Sequence, residues 1–142
     1  MITESIKALW AKTDNENNWH SLLYHLIDSG KVAEALWKHY LSESFKKNFS
    51  TLFELTEVES CNLTSYWVSL HDIGKAGPAF QRKFSSHVEI LVRAGYSFPK
   101  VLSKEYGYHG LASTWILQNF FQNDLNYPRS EERRVGKECR SR

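Results

Sequence analysis

The stretch Leu22-Leu23-Tyr24-His25-Leu26-Ile27-Asp28-Ser29-Gly30-Lys31-Val32-Ala33-Glu34-Ala35-Leu36-Trp37-Lys38-His39-Tyr40-Leu41 carries apolar residues at helical spacing. Leu22, Leu26, Ala33, Leu36 or Trp37, and Tyr40 fall on one side, with Leu23 and Ile27 beside them. That periodicity predicts an amphipathic helix from about Asn18 to Leu41. Asp14 to Asn18 reads as a polar turn before it. Gly30, which costs about 1 kcal/mol against alanine inside a helix, marks a kink or a close helix contact.

The same spacing continues outward from this helix. A second helix is predicted over Ser42 to Leu55 with Phe45, Phe49, Leu52 and Phe53 inward, and a third from about Cys61 to Asp72 carrying Leu63, Tyr66, Trp67 and Leu70. Gly74 and Gly77 break the pattern. Pro78 then sits where a first helical residue tolerates a missing N–H, so a helix is predicted from there through Phe80, Phe84, Val88, Leu91 and Val92 to Gly95. Tyr96 to Tyr108 reads as a loop. A last helix, about His109 to Asn123, is expected to bury Leu111, Trp115, Ile116, Leu117 and Phe120. No strand-like alternation of useful length and no internal repeat is legible. The expectation is an all-α fold, an irregular bundle of five to six helices.

Composition narrows the class. A chain of 142 residues, 42% apolar and 14% aromatic, fits one globular domain with a substantial core. No apolar run reaches the roughly 18 residues of a membrane span, and the start lacks signal-peptide character, so the expected location is the cytoplasm. Two cysteines are too few for a disulfide framework or a thiolate zinc site. Residues 129–142, Arg-Ser-Glu-Glu-Arg-Arg-Val-Gly-Lys-Glu-Cys-Arg-Ser-Arg, lack apolar periodicity and read like translated sequencing-adapter DNA. They are expected to be non-native, leaving a domain over 1–128. Setting aside their six basic and three acidic residues turns the net charge from +2 to −1, so nucleic-acid binding has to be argued from a site rather than from bulk charge.

His71-Asp72-Ile73-Gly74-Lys75 supplies such a site. It ends an otherwise apolar predicted helix and brings an imidazole and a carboxylate side by side to the edge of the core, a costly place without partners. A neutral imidazole and a carboxylate suit divalent cations, and Asp72 is the natural bridging ligand between two ions. His25 lies on the apolar face of the first helix, with Asp28 at i+3 near enough to take its other ring N–H. His109 opens the last helix with Ser113 at i+4 as a hydrogen-bond partner. His20, His39 and His87 sit in polar surroundings and read as solvated.

Three stretches carry a resemblance: Trp19-His20-Ser21-Leu22-Leu23-Tyr24-His25-Leu26-Ile27-Asp28, then His71-Asp72-Ile73-Gly74-Lys75-Ala76-Gly77-Pro78-Ala79-Phe80-Gln81, then His109-Gly110-Leu111-Ala112-Ser113. In order and spacing the chain resembles the HD-type nuclease domain of the type I CRISPR interference nuclease-helicase, within the HD phosphohydrolase superfamily. The resemblance covers about residues 5–120 and implies a fold of HD-domain type. It implies His25, His71 and Asp72 as ligands of a first metal, Asp72 as bridge, His109 as a ligand of a second, and Lys75 facing the phosphate. It further implies two divalent ions (Mn, Fe, Co, Ni or Mg), single-stranded DNA as substrate, and a helicase domain and CRISPR surveillance complex as partners. Such domains carry a tandem His-His beyond the third histidine and a later Asp. Here no histidine follows His109, and Asp124 has no matching context. The chain is therefore expected to be the front part of an interrupted reading frame that binds metal weakly and is itself inactive. A general HD nucleotide phosphohydrolase and a non-catalytic helical remnant are the alternatives.

Overall fold

The computed structural model describes residues 3–99 and 108–125. In chain order it runs α1 (Glu4–Ala8), β1 (Trp10–Thr13), β2 (Trp19–Ser21), α2 (Leu22–His39), α3 (Glu43–Phe53), α4 (Glu57–Ser69), a 3-10 turn (Ile73–Ala76), α5 (Pro78–Gln81), a second 3-10 turn (Ser85–His87), α6 (Val88–Arg93) and α7 (His109–Asn119), which continues as a π-helical turn (Phe120–Asp124). The fold is mostly helical. Most of the Tyr96–Tyr108 loop and residues 129–142, expected to be non-native, lie outside the described residues.

Local chemistry sets the element ends. Ser42 caps α3 by accepting from the Phe45 N–H at 3.3 Å. Thr56 and Glu59 close a reciprocal capping box that starts α4 four residues before the expected Cys61. The long helix α2 begins at Leu22 rather than Asn18, because Trp19–Ser21 pair with Trp10–Thr13 as an antiparallel hairpin that the spacing did not reveal. Asp14 holds the turn, accepting from the N–H groups of Glu16 and Asn18 at 2.9 Å each, with Asn17 in the left-handed region. The expected Pro78–Gly95 helix is broken into α5, a 3-10 turn and α6. The break has a cause distant in sequence: the ring of His87, stacked on Phe84, donates from Nε2 to the carbonyl of Ala8 at 2.7 Å. His87 is thus a buried structural residue rather than a solvated one.

The core differs from the expected one. Leu9, Trp10, Ala11, Leu22, Phe80 and Leu91 form its buried centre, so hairpin, α2 and α5 meet there. Trp37, not Leu36, is the inward residue of α2, and its ring lies 5.4 Å from that of Phe49. Several residues expected inward are instead exposed, among them Phe45, Leu52, Phe53, Leu111 and Trp115. Their helices pack along one narrow side, leaving that apolar periodicity half used. Gly30 is the close helix contact: a Cβ there would meet the Ser69 Cβ at 3.1 Å, where α2 crosses α4.

Gln81 ties the hairpin to the rest. Its Oε1 accepts from the Trp10 N–H at 3.1 Å, its Nε2 donates to the Trp10 carbonyl at 2.8 Å and to the Lys75 carbonyl at 2.7 Å. Its own carbonyl accepts from the Trp10 indole at 3.0 Å. The side-chain amide therefore pairs with Trp10 as a neighbouring strand would. Gln81→Met keeps the volume and leaves one buried N–H and two carbonyls without these partners, at about 1–3 kcal/mol each before relaxation. The expected loss is about 3 kcal/mol, or about 10 °C in melting temperature; a shift below about 2 °C would contradict this role.

Candidate metal centre

Four elements deliver the site. α2, entering from the hairpin, carries His25 on its inner side, where the ring is buried. α4 ends at Ser69, and the chain loosens through Leu70 into the 3-10 turn, so His71 and Asp72 project from the junction rather than from a regular helix. His71 Nδ1 lies 2.7 Å from the carbonyl of Val68. A carbonyl can only accept, so Nδ1 carries the proton and Nε2 is the free donor atom.

Asp72 is the meeting point. It is buried, and its Oδ2 lies 2.9 Å from His25 Nε2, 3.2 Å from His71 Nε2 and 2.7 Å from Lys75 Nζ. Its Oδ1 lies 3.3 Å from His109 Nε2. Two histidines thus face one carboxylate oxygen and a third faces the other, the disposition a bridging carboxylate requires.

His109 arrives there because α7 presses against Gly74. A Cβ at residue 74 would lie 2.1 Å from the His109 carbonyl oxygen and 2.4 Å from the Ser113 nitrogen, so only glycine fits. Ser113 Oγ completes the contact by accepting from the Gly74 N–H at 2.8 Å. This is a different role from the one expected of Ser113: the hydroxyl anchors α7 to the turn and does not orient the His109 ring. Asp28 likewise binds His20 Nε2, at 3.1 Å, instead of His25. The hairpin causes this by placing His20 over α2, and so His20 is not a free solvated side chain. His39 is exposed.

Lys75 is buried and spends its ammonium on Asp72, with the Phe80 ring 5.4 Å away. It does not extend into open solvent toward a phosphate. Burial pushes the Asp72 carboxyl upward, but the hydrogen bonds from Lys75 and His25, with the charges of Lys75 and His71, outweigh it and hold the group below its ordinary value. Burial lowers His25, against the opposing pull of Asp72; Lys75 and Lys12 lower it further.

Both shifts favour the deprotonated forms, and the sign follows. A folded chain that holds the His25 proton less tightly than the unfolded chain keeps its full stability above pH 6.5 and loses it as pH falls below that value. Asp72 adds a second loss as pH falls through its depressed range, below 3.8. The urea midpoint is expected to fall between about pH 7.5 and about pH 5, with a slope of at most about 1.4 kcal/mol per pH unit for one proton, and to fall less in His25→Gln. Equal slopes in the two proteins would contradict this.

The donor set suits a divalent cation. With Nδ1 engaged by the Val68 carbonyl, His71 Nε2 faces the Asp72 carboxylate oxygen at 3.2 Å, an arrangement that suits a cation between them. The donor atoms of His25, His71 and Asp72 lie within 4.8 Å of one another, the scale of one ion with arms of about 2 Å. Imidazole and carboxylate together suit borderline or hard divalent ions.

A histidine-aspartate pair at the unwound end of a helix, joined by histidines from two other helices, defines an HD-type domain. The chain belongs to the Cas3 HD-domain family, whose description, "Cas3, HD domain", matches residues 10–138. It is 33% identical over 78% of its length to the CRISPR-associated nuclease/helicase Cas3 of Streptococcus thermophilus. It is 30% identical over 85% of its length to the CRISPR-associated endonuclease/helicase Cas3 of Thermus thermophilus. It spans only 14% and 13% of those proteins. A solved structure described as a CRISPR-associated protein superimposes on 91% of the chain with a TM-score of 0.72 at 22% identity, a likeness of fold that covers 15% of that protein. No described helix is long and apolar enough to cross a membrane.

Proposed function

We propose that this domain hydrolyses phosphodiester bonds of single-stranded DNA with divalent metal, in the cytoplasm, as the nuclease part of a CRISPR interference system whose helicase and surveillance complex supply the strand. One observation carries the reading: His25, His71, His109 and Lys75 all converge on the buried carboxylate of Asp72. A divalent ion, when bound, supplies charge that polarises a phosphodiester and makes water a usable nucleophile at neutral pH. Asp72 presents one oxygen to His25 and His71 and the other to His109, so one or two ions can be held. Lys75 keeps Asp72 ionised and oriented, and its buried ammonium lies 2.7 Å from that carboxylate, so its place is as a positioning residue.

Incubation with circular single-stranded DNA and manganese tests the reading and, with it, the opposing expectation that this chain is itself inactive. Degradation that Asp72→Asn abolishes supports it. Release of phosphate from nucleoside monophosphates with no attack on the circle would assign the site to nucleotide hydrolysis, and activity that survives Asp72→Asn would remove the site from the chemistry.

A further inference from the structure

A cleft of about 430 Å³ opens beside the metal centre, lined by Lys12 and His20 of the hairpin, Asp28 and Ser29 of α2, and the ligands His25 and His71. That volume lies within the roughly 300–1,000 Å³ of small-ligand pockets and accommodates about one nucleotide with its phosphate. Building on the nuclease reading, we propose that the hairpin is a substrate-holding wall, with Lys12 as the contact for the phosphate next to the one at Asp72.

Two observations place Lys12 there. Its residue pairs directly with His20 across the hairpin, so both side chains leave the same side of the ribbon toward the cleft. Its ammonium has no ion pair among the described residues, because the neighbouring carboxylates are committed: Asp28 to His20 at 3.1 Å, and Asp14 to the turn amides at 2.9 Å. A solvated lysine in a cleft that holds two metal-ligating histidines suits a phosphate as a point charge. Gln81 makes the wall rigid. By gripping Trp10 with one hand of its amide and the Lys75 carbonyl with the other, it fixes β1 relative to the Asp72 turn. Gln81 is therefore a positioning residue, which accounts for the Pro78-Ala79-Phe80-Gln81 extension that the metal chemistry does not use.

The test is the salt dependence of binding to fluorescein-labelled oligothymidylate, without divalent ions so that no strand is cut, over about 50 to 200 mM salt. Each phosphate contact on a single strand contributes about 0.7 to the slope of log affinity against log salt. Lys12→Gln is expected to reduce the slope by about 0.7, whereas Lys47→Gln, on α3 and outside the cleft, leaves it unchanged. Gln81→Met is expected to reproduce the loss, with no further change on adding Lys12→Gln. A slope in Lys12→Gln equal to wild type, an equal loss in Lys47→Gln, or a wild-type chain with no salt-dependent binding overturns the subsite. Manganese-dependent attack on circular single-stranded DNA, measured on the same preparations, tells that failure from failure of the nuclease reading.

Discussion

Asp72→Ala is expected to reduce manganese-dependent cleavage of single-stranded DNA by about 10³-fold or more and to destabilise the fold by about 3–5 kcal/mol. The two losses share one cause. Asp72 is the carboxylate that His25, His71, His109 and Lys75 all face, and no other carboxylate among the described residues touches any of the four in the cluster. Its removal leaves the buried Lys75 ammonium uncompensated and takes away the anionic member of the donor set. Asp72→Asn separates the effects. It keeps the shape and an acceptor oxygen for Lys75, so much of the stability should return, but a neutral amide is a poor metal ligand and cleavage should not. Equal cleavage by Asp72→Asn and wild type would contradict a metal-binding carboxylate.

Gly74→Ala is expected to damage the site without touching any ligand. The added Cβ would sit 2.1 Å from the His109 carbonyl and 2.4 Å from the Ser113 nitrogen, both backbone atoms at the start of α7. Ordinary contact requires about 3.4 Å or more, so the helix must retreat by more than about 1 Å. The Gly74–Ser113 hydrogen bond then breaks and His109 leaves Asp72. A displacement of that size costs about 10²-fold in rate where geometry is critical. The stability cost, from the lost buried bond and the opened packing, is about 2–4 kcal/mol. Adding Ser113→Gly to Gly74→Ala should recover little, because the closest contact is with the His109 backbone. A Gly74→Ala protein of wild-type stability and activity would show that α7 does not rest on the turn.

These residues also show what was readable in the chain. His25 and His109 stand on helices, and His71 and Asp72 at a helix end, that apolar spacing and the two glycines mark, and the structure brings them within reach of one another. Gly74 read as a breaker; its actual role, clearance for α7, depends on a contact with residues 109 and 113 that no local pattern encodes. The hairpin escaped for a similar reason. Its strands are four and three residues long, without alternation, and hold through a glutamine 71 residues away. Because the hairpin was missed, the His20–Asp28 pair was missed with it. The break between α5 and α6 depends on His87 reaching Ala8, and nothing between Gln81 and Val88 is a glycine or proline. Apolar spacing identified the helices α2, α3, α4 and α7 well, but it overstated how much of each is covered: Leu52, Leu111 and Trp115 repeat at core spacing yet are 76%, 69% and 66% exposed.

Calorimetric titration of the chain with manganese addresses the metal centre itself. A saturable site in the wild type that disappears in Asp72→Asn, while the variant keeps its fold by circular dichroism, is the predicted result. Wild-type protein that takes up no divalent ion, or an Asp72→Asn protein that binds manganese as well as wild type, would contradict the convergence of His25, His71, His109 and Asp72 on a cation.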